Sequence, residues 1–362
     1  VKFMNISYLT VAVAFLSCFF VAYSWFAAIN RNLSTFSFSS PLMKDVFSPI
    51  LVTGFLGMTA LHFLLPAYHD QLFEIPYLNI IAIYLITAAA YYAGLQTQAS
   101  RFSFLILIGA AIVGAVMLPF SFLLFDGALP FWLDRTTVVL IWAAFAWCYK
   151  YLNGIDAIAG IQTIVPLSGM IILAFIGAIP FLTGSYCAIL IAVTIAFLAY
   201  NWYPAKLVLT SAGCQALGFL VFWYFMLGAQ EGAASCLLIF NIYFLVEITW
   251  AFIKKLSGKP RCQDITANTF YYQTNVSGLS PAIVAENIFK LTALLLIFGC
   301  FQAYAPNNYS LAILSVILVI WFLNHLRSWQ IPERSFSEIN KEVVNDIKSN
   351  VEDFKKNIDK DL

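Results

Sequence analysis

Residues 157–182 read AIAGIQTIVPLSGMIILAFIGAIPFL, an unbroken run without a charged side chain. A helix rises about 1.5 Å per residue, so about 20 apolar residues cross the hydrocarbon of a bilayer. This stretch therefore predicts a membrane-spanning helix, and the rest of the chain repeats the pattern. Similar apolar runs lie at 6–28, 47–66, 76–95, 103–125, 133–151, 186–200, 214–229, 234–253, 283–304 and 309–328. Together they predict an all-α integral membrane protein with about 11 transmembrane helices. The first run is long and lacks a small-residue cleavage site, so it is expected to stay as a span.

Composition agrees. Hydrophobic residues make up 62% of the 362 and charged residues 10%, with a mean hydropathy of +0.85. A soluble domain carries roughly a quarter charged residues. Lys and Arg set the orientation. With eleven spans, sixteen of them fall on one side, from Arg31 and Lys44 to the tail, and two, Lys2 and Arg135, on the other. The expected arrangement is N-terminus outside and C-terminus cytoplasmic. The net charge of +1 says nothing about nucleic acid, and without a basic patch interleaved with aromatics no nucleic-acid partner is expected. Seven scattered cysteines make no CxxC pair and no disulfide framework, which leaves core packing as their role.

Five cytoplasmic segments can carry chemistry: 29–46, 96–102, 150–156, 201–213 and 254–282. Irregular backbone cannot face lipid, so these loops are expected to pack together or line a wet cavity. The tail, 329–362, is a different material from the membrane domain, 1–328. Val344, Ile347, Val351, Phe354 and Ile358 repeat at helical spacing, with Lys341, Lys348 and Lys355 one heptad apart. That predicts an amphipathic helix. It suits either a homodimer or cytoplasmic partner through residues 339–358, or a helix lying on its own membrane surface.

Two stretches carry a resemblance. Residues 150–162 read KYLNGIDAIAGIQ, and residues 197–219 read FLAYNWYPAKLVLTSAGCQALGF. Both resemble the polyprenyl-phosphate N-acetylhexosamine-1-phosphate transferases of glycosyltransferase family 4. That family includes the peptidoglycan lipid I synthase and the enzymes that initiate O-antigen and teichoic acid synthesis. Its corresponding motifs read like MDGIDGIAG and FLxxNxxPAxxFMGDxGSxxLG. Asn201, Pro204, Ala205, Gly213, Leu217 and Gly218 fall on the second pattern. The resemblance covers roughly residues 1–328 and implies a multi-pass protein of the bacterial inner membrane. It also implies transfer of a sugar phosphate from a UDP-sugar to polyprenyl phosphate, with Mg²⁺ aligning the two anions.

The chain departs from the family where charge matters. An Asp-Asp pair after the third span is replaced by Gln96 and Thr97. The DGxDG motif reads Asn153-Gly154-Ile155-Asp156-Ala157, leaving Asp156 as its carboxylate. The metal-binding Gly-Asp reads Thr210-Ser211. The histidine- and arginine-bearing loop reads ANTFYYQ over 267–273, keeping Tyr272, Gln273 and the later Gly278. Residues 30–46 retain Asn30, Arg31 and Pro41. Polar amides and hydroxyls can bond a phosphate but cannot offset the dehydration of a divalent cation. The family's Mg²⁺ is therefore not expected to bind normally here.

The resemblance makes Asp156 the candidate catalytic and metal-binding residue, with Asn153, Asn201, Lys206, Gln96, Thr97, Ser211, Tyr272 and Gln273 as candidate substrate contacts. Asp156 can also be read as a helix N-terminal acid, and Lys206 as part of the positive-inside bias. Glu247 is an intramembrane acid, a site candidate by default. Glu286 and Lys290, spaced i, i+4, predict an ion pair. His62 reads as a hydrogen-bonded core residue, and Lys254, Lys255, Lys259 and Arg261 as topology determinants.

Three functions follow. The first is a relative with weakened or lost catalysis, keeping a lipid-phosphate binding or scaffold role in envelope glycan assembly. The second is an active transferase with displaced metal ligands from among Asp156, Asp264, Asp45 and Glu247. The third is a lipid or solute transporter, which the lack of an internal repeat disfavours.

Overall fold

Hydrocarbon offers no partners to backbone N–H and C=O groups, and a helix satisfies both within one segment. The chain takes this solution throughout. The structure, a computed structural model, describes residues 2–35, 46–65, 77–96, 100–257, 265–276, 278–306 and 308–328. Its helices are α1 (Lys2–Thr35), α2 (Phe47–Leu64), α3 (Tyr77–Gln96), α4 (Ser100–Val116), α5 (Phe131–Tyr149) and α6 (Ile158–Phe175). They continue as α7 (Phe181–Asn201), α8 (Ser211–Gln230), α9 (Ala234–Leu256), α10 (Phe270–Val276), α11 (Pro281–Gln302) and α12 (Ser310–Ser328). No strand occurs among the described residues.

Nine of these helices are long and apolar enough to cross a membrane, and the apolar parts of α4 and α12 are shorter. The protein is an all-α multi-pass membrane protein. Every apolar stretch expected from sequence carries a helix; α1 runs beyond 6–28 at both ends, and three others differ in extent. The stretch 103–125 is helical only to Val116. Pro119 cannot continue the ladder, and the buried Asp134 carboxylate accepts from the amides of Leu124 (3.1 Å) and Phe125 (3.0 Å) instead. The neighbouring Arg135 guanidinium donates to the Pro119 carbonyl. The 157–182 stretch is also divided: α6 ends at Phe175, Gly177 turns the chain at φ +78°, and Pro180 precedes α7. The third, 186–200, consequently lengthens to the 21 residues of α7.

The core lies around α8, which is buried on every side and packs against α3, α5, α6, α7 and α9. A helix apolar all round suits that place. The Trp142 ring of α5 stacks on Phe219 at 4.9 Å, and its indole N–H donates to the Phe219 carbonyl at 3.0 Å. His62 is buried, its Nδ1 2.9 Å from the Tyr186 hydroxyl, as a core histidine should be. Glu286 and Lys290 form the expected ion pair at 2.7 Å, exposed and hence of small energetic weight. The six described cysteines are free.

One contact locks three helices. The ring of Phe240 on α9 lies between Gly169 of α6 and Gly299 of α11, and a Cβ added at either glycine would come within 2.5 Å and 2.3 Å of it. The ring cannot retreat from one helix without striking the other. Gly169→Ala should therefore destabilise the protein by about 1–3 kcal/mol despite alanine's better helix propensity. Thermal unfolding in detergent measures this, and adding Phe240→Leu should restore much of the loss.

Candidate functional site

Where α5, α7 and α9 end, the connecting segments fold onto one another. This end carries Arg31, Lys150, Lys206, Lys254 and Lys255, and is called the basic end below.

After α5 the chain makes a 3-10 turn, Lys150–Gly154. Lys150 Nζ sits over the Trp147 ring at 4.1 Å and the Tyr151 ring at 4.9 Å, a partner that suits a cation beside lipid. The Asn153 amide donates to the Leu209 carbonyl at 2.7 Å. Asp156 Oδ2 accepts from the Ala205 amide at 3.0 Å. Asn201 closes the same seam in both directions: its Oδ1 accepts from the Ala157 amide (3.0 Å) and its Nδ2 donates to the Leu207 carbonyl (2.8 Å). The segments 150–157 and 201–210 are thus stitched by Asp156 and Asn201, which match the resembled motifs, and by Asn153, which stands where the first motif has aspartate. Thr210 then caps α8, accepting from the Gly213 amide at 3.0 Å, the ordinary work of a threonine before a helix.

The segment after α9 is held by Glu247. This fully buried carboxylate, one turn or more inside α9, accepts from the backbone amides of Phe270 and Tyr271. The Tyr271 hydroxyl donates to the Tyr151 carbonyl, which ties this segment to the 150–157 turn. Gly154 is required there: a Cβ would meet the Thr266 methyl at 2.6 Å and the Tyr271 ring at 3.0 Å. Lys254 Nζ donates to Gln273 Oε1 (2.9 Å) while lying over the Phe270 ring at 4.8 Å and the Trp250 ring at 5.6 Å. Gln273 in turn donates to the Ala267 carbonyl at 3.2 Å. Gly278 adopts φ +100°, a left-handed conformation that glycine takes without cost.

The candidate residues therefore divide. Asn153, Asp156, Asn201 and Gln273 converge as the ties between loops. Gln96 ends α3, close to the start of α8, since a Cβ at Gly94 would meet that of Ala212 at 3.1 Å. Ser211 and Lys206 are exposed beside the seam, and Tyr272 is half-buried. Thr97, Asp45, Asp264, Lys259, Arg261 and the 329–362 tail lie outside the described residues. Glu247 stood out in the sequence as an intramembrane acid, but its partners lie 23 residues on and carry no sequence signal. Lys254, read as topology alone, sits in a specific aromatic and amide setting.

Beside this site an apolar groove of about 590 Å³ runs between α9 and α12. It extends from Tyr309 at the far end to Trp250 and Phe270 at the basic end, so Lys254 stands over its mouth.

A divalent cation needs several oxygen ligands and compensating charge. Among the described residues no three His, Cys, Asp or Glu side chains gather to hold a metal. Asp156 already has one oxygen on the Ala205 amide, and Glu247 has one on the α10 amides. Among the described residues this donor set does not fit Mg²⁺.

No family model matches the chain. It is 22% identical over 192 residues to a Bacillus subtilis (strain 168) protein named "Probable undecaprenyl-phosphate N-acetylglucosaminyl 1-phosphate transferase". The match takes in 52% of this chain and 53% of that protein, about half of each. The apolar helices and this bacterial relative agree on a multi-pass bacterial membrane protein.

Ala157, which stands where the resembled motif has glycine, precedes α6 at φ +71°. A Cβ in that region costs roughly 1–2 kcal/mol. Ala157→Gly should therefore raise stability by about 1 kcal/mol, after the entropy glycine adds to the unfolded chain. The midpoint of thermal or chemical unfolding checks the sign.

Proposed function

We propose that the chain is a member of the polyprenyl-phosphate sugar-1-phosphate transferase family in the bacterial plasma membrane, with its basic end in the cytoplasm. In this reading Mg²⁺-dependent catalysis is weakened or lost, and the protein binds a lipid phosphate or serves as a scaffold in envelope glycan assembly.

The observation that carries it is the use made of Asp156. In a phosphoryl-transfer site, acids face the metal and the two anions. Here the one acid left in the motif has an oxygen on the Ala205 amide, within a seam made of Asn153 and Asn201. The motif residues that remain support the backbone, and the polar replacements at Gln96, Thr97 and Ser211 bring no negative charge. Metal and substrate electrostatics are usually the largest part of such catalysis, each preorganised contact being worth about 10²–10³ in rate.

The groove supports the lipid half of the reading. A prenyl chain laid between α9 and α12 would bring its phosphate to Lys254, at a mouth walled by Trp250 and Phe270. Exposed Lys206 and Ser211, with Tyr272, are the further substrate contacts we assign. The relative's printed activity, on an undecaprenyl-phosphate acceptor, agrees with that lipid class.

Two measurements test the proposal. Exchange of labelled UMP into UDP-GlcNAc, with purified protein and Mg²⁺, should fall at least about a hundredfold below that of an active transferase. Brisk exchange that Asp156→Asn abolishes would instead establish a working enzyme with displaced ligands. Undecaprenyl phosphate binding, followed by native mass spectrometry, should weaken about tenfold or more in Lys254→Glu, a charge-assisted contact turned to repulsion. Unchanged binding in that variant rejects the groove assignment.

A further inference from the structure

Helices α6, α9 and α11 share a register. Phe240 touches the positions of both Gly169 and Gly299, so these three stand at one level. In the chain's alternating order α9 runs opposite to α6 and α11. Seven residues make two turns and return to nearly the same face. Two turns toward the basic end, this register places Gln162, Glu247 and Thr292 at one level, on the helix faces that carry Gly169, Phe240 and Gly299. Tyr149 of α5 bridges α6 and α9 near this level: its hydroxyl lies 2.7 Å from Thr163 Oγ1 and its ring 5.6 Å from that of Phe244.

All three residues are buried, with at most 1% of their surface exposed. Four polar atoms at this level have no hydrogen-bond partner: Gln162 Oε1 and Nε2, Glu247 Oε2, and the hydroxyl of Tyr243, one turn along α9. Tyr243 is in electrostatic contact with both Glu247 and Tyr271. The Thr292 hydroxyl donates to the Ile288 carbonyl at 2.9 Å, which leaves its oxygen lone pairs available. Toward the basic end the segment holding Phe270 and Tyr271 covers the place, through the other oxygen of Glu247. These unpaired atoms lie in the interior at one level of three packed helices, with their hydrogen-bonding capacity unspent.

A buried charge is tolerated when it is paired, and an acid inside a membrane domain marks an ion or proton site by default. The oxygens at this level come from a carboxylate, an amide and two hydroxyls, all hard donors. When ionised, Glu247 brings one negative charge, which a monovalent cation neutralises and a divalent one would overshoot. We propose that Gln162, Tyr243, Glu247 and Thr292 form an internal binding site for a sodium-sized monovalent cation. The ion joins α6, α9 and α11 to the loop that Glu247 anchors. The inference is independent of whether the chain transfers sugar phosphate.

Thermal unfolding of the purified full-length chain, in detergent and at about 150 mM of either sodium or choline chloride, tests it, because long-range screening is then equal. Sodium should raise the Tm in a saturable way, by roughly 2–4 °C over choline. Gln162→Leu and Tyr243→Phe leave the loop anchor untouched and should abolish that increment. If no ion binds there, wild-type Tm is the same in both salts. The two variants then gain stability in both, because each removes an unpaired buried polar group. That result overturns the proposal, as does a sodium shift that survives in both variants.

Discussion

Backbone amides that meet lipid or a closed interior must find a partner within the protein, and at the basic end that requirement governs nearly every polar side chain. Each helix that stops there leaves unpaired groups on an irregular connection. Asn153, Asp156 and Asn201 take them up across one seam, and Glu247 takes them up across another. The result is a set of loops that brace one another, with Tyr271 joining the two seams through the Tyr151 carbonyl.

In the proposed reading, this bracing lets side chains of catalytic type persist without catalysis. An asparagine or aspartate that satisfies a neighbour's backbone is costly to remove whether or not substrate is ever bound, since an orphaned buried group loses about 1–3 kcal/mol. The acids of a metal site have no such second duty. In the proposed reading, Gln96, Thr97 and Ser211 bring none of the charge that would hold a divalent ion. Cations survive for a different reason. Lys150 and Lys254 rest on aromatic faces, where an ammonium remains favourable beside apolar surroundings.

Small residues form the second organising element. Gly169 and Gly299 let Phe240 key three helices together, and Gly154 lets two loops touch. In lipid, where apolar surface gains little by leaving its solvent, close packing of this kind and interhelical polar contacts supply much of the drive to associate. Alignment of α6, α9 and α11 at Phe240 has a consequence two turns away, where it sets Gln162, Glu247 and Thr292 at a common depth.

Much of the architecture was legible in the amino-acid order, because a spanning helix is a local object: about 20 apolar residues suffice to specify one, whatever its neighbours do. The helical class, the places of the apolar helices, the Glu286–Lys290 pair and the role of His62 are all of this kind. Helix ends were less so, since Asp134 and Arg135 terminate α4 from more than ten residues away. The site was legible only as a list of residue types. Which loop amide Asp156 meets and what Glu247 caps depend on contacts between segments 23 to 49 residues apart. Sequence fixes such partners through no local pattern, so three-dimensional packing alone decided them.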